Sequence, residues 1–158
     1  MRGQALAEMA IMVPFLVIAM MGFLDLGRAF YYQIALTNAV REAARYAAIP
    51  LYQGPYPACN ISPPSPTPGP SCPTPTDAQI CQRVIAELQG TGFSASCPGD
   101  VAITPDQHTR TTNYAANTTQ YPITVAGTYR FTFITPIMGS LIGNPLTLNT
   151  SAVFRAEY

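Results

Sequence analysis

The chemistry open to this 158-residue chain rests on few side chains. Glu8 stands directly before Met9–Leu24, sixteen residues without a charge. A carboxylate at the mouth of a membrane-depth segment is costly enough to mark a functional position. Asp25 and Arg28 close the same run at an i, i+3 spacing, which on a helix makes either a local ion pair at the membrane rim or a pair between subunits. Four cysteines, Cys59, Cys72, Cys81 and Cys97, all follow the apolar run and contain no C-x-x-C pair. Metal-ligand and thioredoxin-like spacings are therefore absent, and two disulfides are expected, with three connectivities open. Oxidised cysteines place residues 50–158 outside a reducing cytosol.

Other chemistry is thinly represented. His108 is the single histidine and lies in a polar Thr/Asn/Gln stretch, so neither a His-based triad nor a multi-histidine metal site can be built within the chain; a solvated loop residue is expected there. Asp77, Glu87, Asp100, Asp106 and Glu157 are scattered, without the paired spacing of acid and base roles. There is no phosphate loop and no G-x-G-x-x-G, so neither an enzyme nor a cofactor is expected. Only 10% of residues are charged and the formal net charge is zero, well below the roughly 25% of ordinary soluble proteins. Binding to nucleic acid is not expected. All eight basic residues are Arg, which fits either planar paired contacts or a compositional bias.

These residues must be carried by a long N-terminal element. After the apolar run the sequence continues as LGRAFYYQIALTNAVREAARYAAIP, free of Gly and Pro between Gly27 and Pro50, so one helix is expected over about Ala5–Ile49, ended by Pro50 and Gly54-Pro55. Such a helix is roughly 65 Å long, about twice a hydrocarbon core, so its first half can sit in a bilayer while its second half stands out. The start does not read as a secretory signal, since it holds only Arg2 before the run and no clean cleavage site after it. Glu8, a kink expected at Pro14 and a weak spot at Gly22 suit a segment that waits in the membrane and later leaves it. Ala35, Ala39, Ala43 and Ala47 recur every four residues as a shallow ridge on which another backbone can approach. Alanine's plain helix propensity explains them equally. Leu26, Phe30, Ile34 and Val40, with Leu36 alongside, are expected to receive the rest of the chain.

Beyond Pro50 the chain changes character. Leu51–Asp77 is loop-like, and its core SPPSPTPGPSCPTPT (62–76) favours extended polyproline-type structure, pinned by Cys59 and Cys72. Asn60, Asn117 and Asn149 begin weak matches to the N-glycosylation pattern. A short amphipathic helix starts at Thr76-Asp77, carries Ile80, Val84, Ile85 and Leu88, and ends at Gly90 and Gly92. Val101–Ile103 reads as a strand. Tyr121–Ile134 alternates with Ile123, Val125, Tyr129, Phe131 and Phe133 on one face, and Leu146–Ala156 repeats the period. Joined through Thr135–Pro145, the last two form an antiparallel pair. The fold class is α+β, a small antiparallel sheet leaning on the exposed half of the long helix.

RGQALAEMAIMVPFL, GFLDLGRAFYYQIALTNAVREAARYAA and, more weakly, YRFTFITPIMGSLIGNPLTLNTSAVFRAEY resemble the TadE-like family, pilin-like components of tight-adherence (Flp-type) pili and relatives of type IV pilins. The resemblance covers about half the chain and leaves Leu51–Gln120 without a likeness. It implies a leader of residues 1–3 cut by a prepilin peptidase between Gly3 and Gln4, an assembly helix over 4–50, and an extracytoplasmic head over 51–158. It also implies that Glu8, fifth in the processed chain, pairs with the freed amine of a neighbouring subunit. Opposite charges attract strongly in a dry bundle and either alone is costly, so the pair enforces register. The implied partners are other pilin subunits, the peptidase, the inner-membrane assembly machinery and, before assembly, membrane lipid. Major tight-adherence pilins are typically much shorter chains, which favours a minor subunit. A major subunit and a permanently anchored adhesin or binding module are the alternatives.

Overall fold

The computed structural model describes residues 2–49, 74–93, 95–115 and 120–156. In chain order the elements are α1 (Arg2–Ala48), α2 (Asp77–Leu88), β1 (Val101–Thr104), α3 (Gln107–Ala115), β2 (Pro122–Phe131), α4 (Pro136–Ile142) and β3 (Leu146–Arg155). The fold is α+β, with α1 packed against a three-stranded antiparallel sheet in the order β1-β2-β3. α1 is assigned as helix without a break through Pro14 and Gly22. By contacts the chain divides into two compact units, Met1–Gln33 with Arg130–Leu148, and Ile34–Tyr129 with Asn149–Tyr158.

In the larger unit, Leu36, Ala39, Val40, Ala43, Ala44, Ala47 and Ala48 of α1 are buried, as are Ile80, Val84 and Leu88 of α2 and Ile123 and Val125 of β2. The alanines lower one face of the helix so that neighbouring elements can approach it closely. The closest approach is at Gly127, where a Cβ would stand 2.7 Å from Val40 Cγ2 and 3.0 Å from Leu36 Cδ1. β2 accordingly buries Ile123, Val125 and Gly127 at the period-two spacing of a strand with one covered face. Its outer neighbour β1 pairs with it antiparallel, from Val101 opposite Gly127 to Thr104 opposite Thr124.

The other elements of this unit are fixed by local chemistry. α2 begins with a reciprocal cap, in which Gln79 N donates to Thr76 Oγ1 at 3.1 Å and Thr76 N donates to Gln79 Oε1 at 2.9 Å. It is followed by Gly90 at φ 85°, a left-handed turn residue that glycine adopts without strain. α3 occupies the stretch expected to be a loop. Its apolar content is low and its anchor is polar: Arg110 is fully buried and donates to Pro105 O at 2.7 Å and Pro75 O at 2.8 Å. Arg110 Nη1 also lies 2.7 Å from Asp77 Oδ1, attracted by charge but too poorly aligned to hydrogen-bond it. At the start of α3, the Thr109 hydroxyl and backbone N–H hold the Asp106 carboxyl below the usual carboxylate range.

In the smaller unit, Phe131 and Phe133 are buried and meet edge to face at 5.1 Å between centroids, with Tyr32 tilted against Phe131 at 5.8 Å. α4 lies within the segment expected to be a plain connection. Pro136 opens it, a position where a missing N–H costs nothing.

Candidate functional site

The candidate site is the first half of α1 and the junction at which it ends. Every described side chain from Gly3 to Met21 is exposed, and the set includes Leu6, Met9, Ile11, Met12, Phe15, Leu16 and Met20. A helix that is apolar on all sides and bare has the surface of a lipid-facing or partner-facing element. It is long and apolar enough to cross a membrane. Gly3, Gln4 and Glu8 lie exposed at its start, where Gln4 Nε2 donates to Glu8 Oε1 at 3.4 Å across one turn. That bond is long, so the Glu8 carboxylate keeps most of its capacity to accept another donor. Pro14 also lies exposed within this bare stretch.

At the other end Asp25 is enclosed, with only 2% of its surface exposed. Its Oδ2 accepts Thr135 N at 2.7 Å and Ile134 N at 3.0 Å, and its Oδ1 accepts Arg28 Nη1 at 3.2 Å. The guanidinium of Arg28 in turn lies over the Tyr32 and Phe131 rings, at 5.9 Å and 5.4 Å from their centroids. The expected i, i+3 pair therefore exists, and its acid also ties the helix to the backbone that leads into α4. Three donors on one carboxylate make this a closed contact within the chain.

The alanine ridge lies on the covered face of the same helix. Ala39, Ala43 and Ala47 are buried by the chain itself and Ala35 is partly covered, so the shallow face that could have received another subunit's backbone is filled by the protein's own fold. Leu26, Phe30 and Ile34, expected to receive the rest of the chain, are instead 41%, 61% and 61% exposed, whereas Leu36 and Val40 are buried. Periodicity identified an apolar helix but not which of its faces the head would choose. Gly127, whose lack of a side chain admits Val40 and Leu36, is the residue in the sequence that marks that face.

Of the cysteines, Cys81 and Cys97 are joined in a disulfide. Cys59, Cys72, the 62–76 loop apart from its last residues, and the breaks at Pro50 and Gly54-Pro55 lie outside the described residues. Beside the disulfide an apolar recess of about 350 Å³ is lined by Ala78, Cys81, Cys97, Pro98, Val101 and Ile103, with Asp77 at its edge. His108 lies exposed on α3 rather than in a loop, near Asp77, Asp106, Gln107 and Thr111. Among the described residues no group of three or more His, Cys, Asp or Glu is placed to hold a metal.

Neither curated proteins nor solved structures contain a match to this chain. The family model described as TadE-like protein matches residues 3–45, a segment that takes in Glu8, the bare apolar half of α1 and the Asp25–Arg28 junction, and over that segment the chain is similar to TadE-like proteins.

Proposed function

We propose that this protein is a minor, pilin-like structural subunit of a tight-adherence pilus that waits in the cytoplasmic membrane with its disulfide-bonded head outside and enters the filament through the first half of α1. The observation that carries this reading is the division of labour along one helix. The chain's own head buries Leu36, Ala39, Val40, Ala43, Ala44, Ala47 and Ala48 in the second half, while the first half is apolar and exposed among the described residues. A soluble monomer does not leave such a surface in water, whereas a bilayer before assembly and neighbouring subunit helices after it would both cover it. The TadE-like match over this half supports the pilus assignment.

On this reading Gly3 and Gln4 flank the processing site, and Glu8, with its lone weak intrahelical bond, accepts the amine that processing frees on a neighbour. Pairing in a dry bundle offsets the cost of burying either charge alone. Arg28, half-exposed at the rim, and Asp25 act within the subunit rather than between subunits. Cys59 and Cys72 form the second disulfide and close the Pro-rich loop.

The experiment is to shear filaments from native cells and determine the N-terminal mass of this chain in the sheared fraction. Recovery there of a chain beginning at Gln4 is the expected result. A chain confined to membranes in cells that bear filaments would instead favour an anchored surface protein, and a chain beginning at Met1 within filaments would remove the processing step.

A further inference from the structure

The run Met9–Leu24 covers only about 24 Å at 1.5 Å per residue, short of the roughly 30 Å hydrocarbon core of a bilayer. The next residue is a carboxylate, Asp25, yet it presents almost no surface, because the backbone of Ile134 and Thr135 is folded over it. With that acid enclosed, the apolar surface of α1 continues through Leu26 and Gly27 to Arg28, about 28 Å from Met9 at the same rise per residue. The segment that encloses Asp25 is itself uncharged from Phe131 to Leu148, and it presents Ile134 and Ile142 at 65% and 51% exposure. It is anchored at the height of the end of the apolar run, since a Cβ on Gly22 would meet Met138 Sδ of α4 at 3.6 Å.

From these placements we infer that α4 and the turn before it form a membrane foot, a short apolar element that lies in the interfacial layer of the outer leaflet and is latched to α1 by Asp25. The proposal rests on the reading that the first half of α1 occupies a bilayer before assembly. The ligand is a phospholipid surface, and three features fit it. Irregular backbone is tolerated at apolar depth only when its N–H groups are satisfied by protein, and the amides of Ile134 and Thr135 are given to Asp25. The foot carries no charged side chain, and its exposed Ile134 and Ile142 add apolar surface to that of Phe23, Leu24 and Leu26 on the helix, with Ser140 the one exposed hydroxyl among its described residues. Arg28, the first cation after the run, has a half-exposed side chain, at the level where a guanidinium reaches lipid phosphates.

The absence of tryptophan from the chain makes the test direct. Single tryptophans are introduced as Ile142→Trp, Ile134→Trp and Met12→Trp, all at exposed positions. Each full-length variant is reconstituted into vesicles of phosphatidylethanolamine and phosphatidylglycerol doped with phosphatidylcholine brominated near the headgroup or deep in the acyl chain. Met12→Trp is expected to be quenched by deep bromine. Ile142→Trp and Ile134→Trp are expected to be quenched by shallow bromine, to emit further to the blue than in detergent-free denaturant, and to lose access to aqueous acrylamide. Adding Asp25→Ala to the Ile142→Trp chain should restore acrylamide access. If Met12→Trp is quenched while both isoleucine variants remain open to acrylamide and untouched by bromine, the foot is refuted and the span stands. If Met12→Trp is not quenched, the bilayer reading fails and the foot falls with it.

Discussion

Gly127 offers the sharpest test of how the helix and the sheet are held together. A methyl at this position would begin 2.7 Å from Val40 Cγ2 and 3.0 Å from Leu36 Cδ1, both closer than carbon atoms approach without repulsion. Neither neighbour can retreat cheaply. Val40 is fully buried and, being β-branched on a helix, has one strongly preferred rotamer. Leu36 is 1% exposed, so its terminal methyl has no free space to enter. Overpacking of this kind costs about 1–3 kcal/mol, and the gain from replacing glycine in a strand recovers no more than about 1 kcal/mol of it. Gly127→Ala is therefore expected to destabilise the protein by about 1–2 kcal/mol on these figures, and Gly127→Val by more. Urea unfolding of the full chain in mild detergent, followed by near-ultraviolet circular dichroism of its tyrosines, measures this. The contact is isolated by adding Val40→Ala. If the clash is the cause, the double variant should be less destabilised than the two single changes summed, by about 1 kcal/mol. A neutral Gly127→Ala, or strict additivity with Val40→Ala, would refute the packing argument.

Three further outcomes follow from the head. Replacing Cys81 or Cys97 by Ser opens a crosslink across 16 residues and should cost about 3 kcal/mol in unfolding free energy, while an intact mass of the wild type after alkylation without reduction should show no reactive thiol if Cys59 and Cys72 are also joined. Arg110→Met leaves the buried carbonyl of Pro75 and the part-buried carbonyl of Pro105 without their donor, so a loss of about 2 kcal/mol is expected in the same unfolding assay, with hydrogen exchange rising first in α3. Because the folded Asp106 carboxyl sits below its ordinary value of 3.8, its contact supports α3 above that value and is lost as pH falls through the lower folded one; amide protection at Thr109 should decline on acidification below about pH 4, and Asp106→Asn should blunt that decline.

Much of this architecture is legible in the sequence because single strong signals carry it. The uninterrupted run from Ala5 to Ile49 carries α1, the Thr76–Gln79 cap places the start of α2, and alternation over Ile123–Phe133 and Leu146–Phe154 yields β2 and β3 with their covered faces. What escaped is governed by long-range partners. α3 has no apolar period, since it is held by one buried arginine that reaches back to Pro75, and composition alone reads it as loop. α4 is seven residues long and interrupted by Gly139, so periodicity has too little length to register. The role of Asp25 was half visible: its pair with Arg28 follows from spacing, but its two backbone donors come from more than a hundred residues away. The alanine ridge shows the same limit from the other side, because small residues invite close approach without stating whether the approaching backbone belongs to this chain or to another.

The central claim, that the bare half of α1 is an assembly helix registered by Glu8, is tested most directly by comparing the sheared-filament and membrane fractions of cells that express the wild type or Glu8→Ala at equal total level. Among the described residues Glu8 is exposed, and the span becomes more apolar without it, so the variant is expected to insert and fold normally while its share in filaments falls sharply. Equal incorporation of wild type and variant would contradict the pairing role, leave Glu8 as a helix-end carboxylate contributing about 0.3–1 kcal/mol, and point to a protein that remains anchored in the membrane.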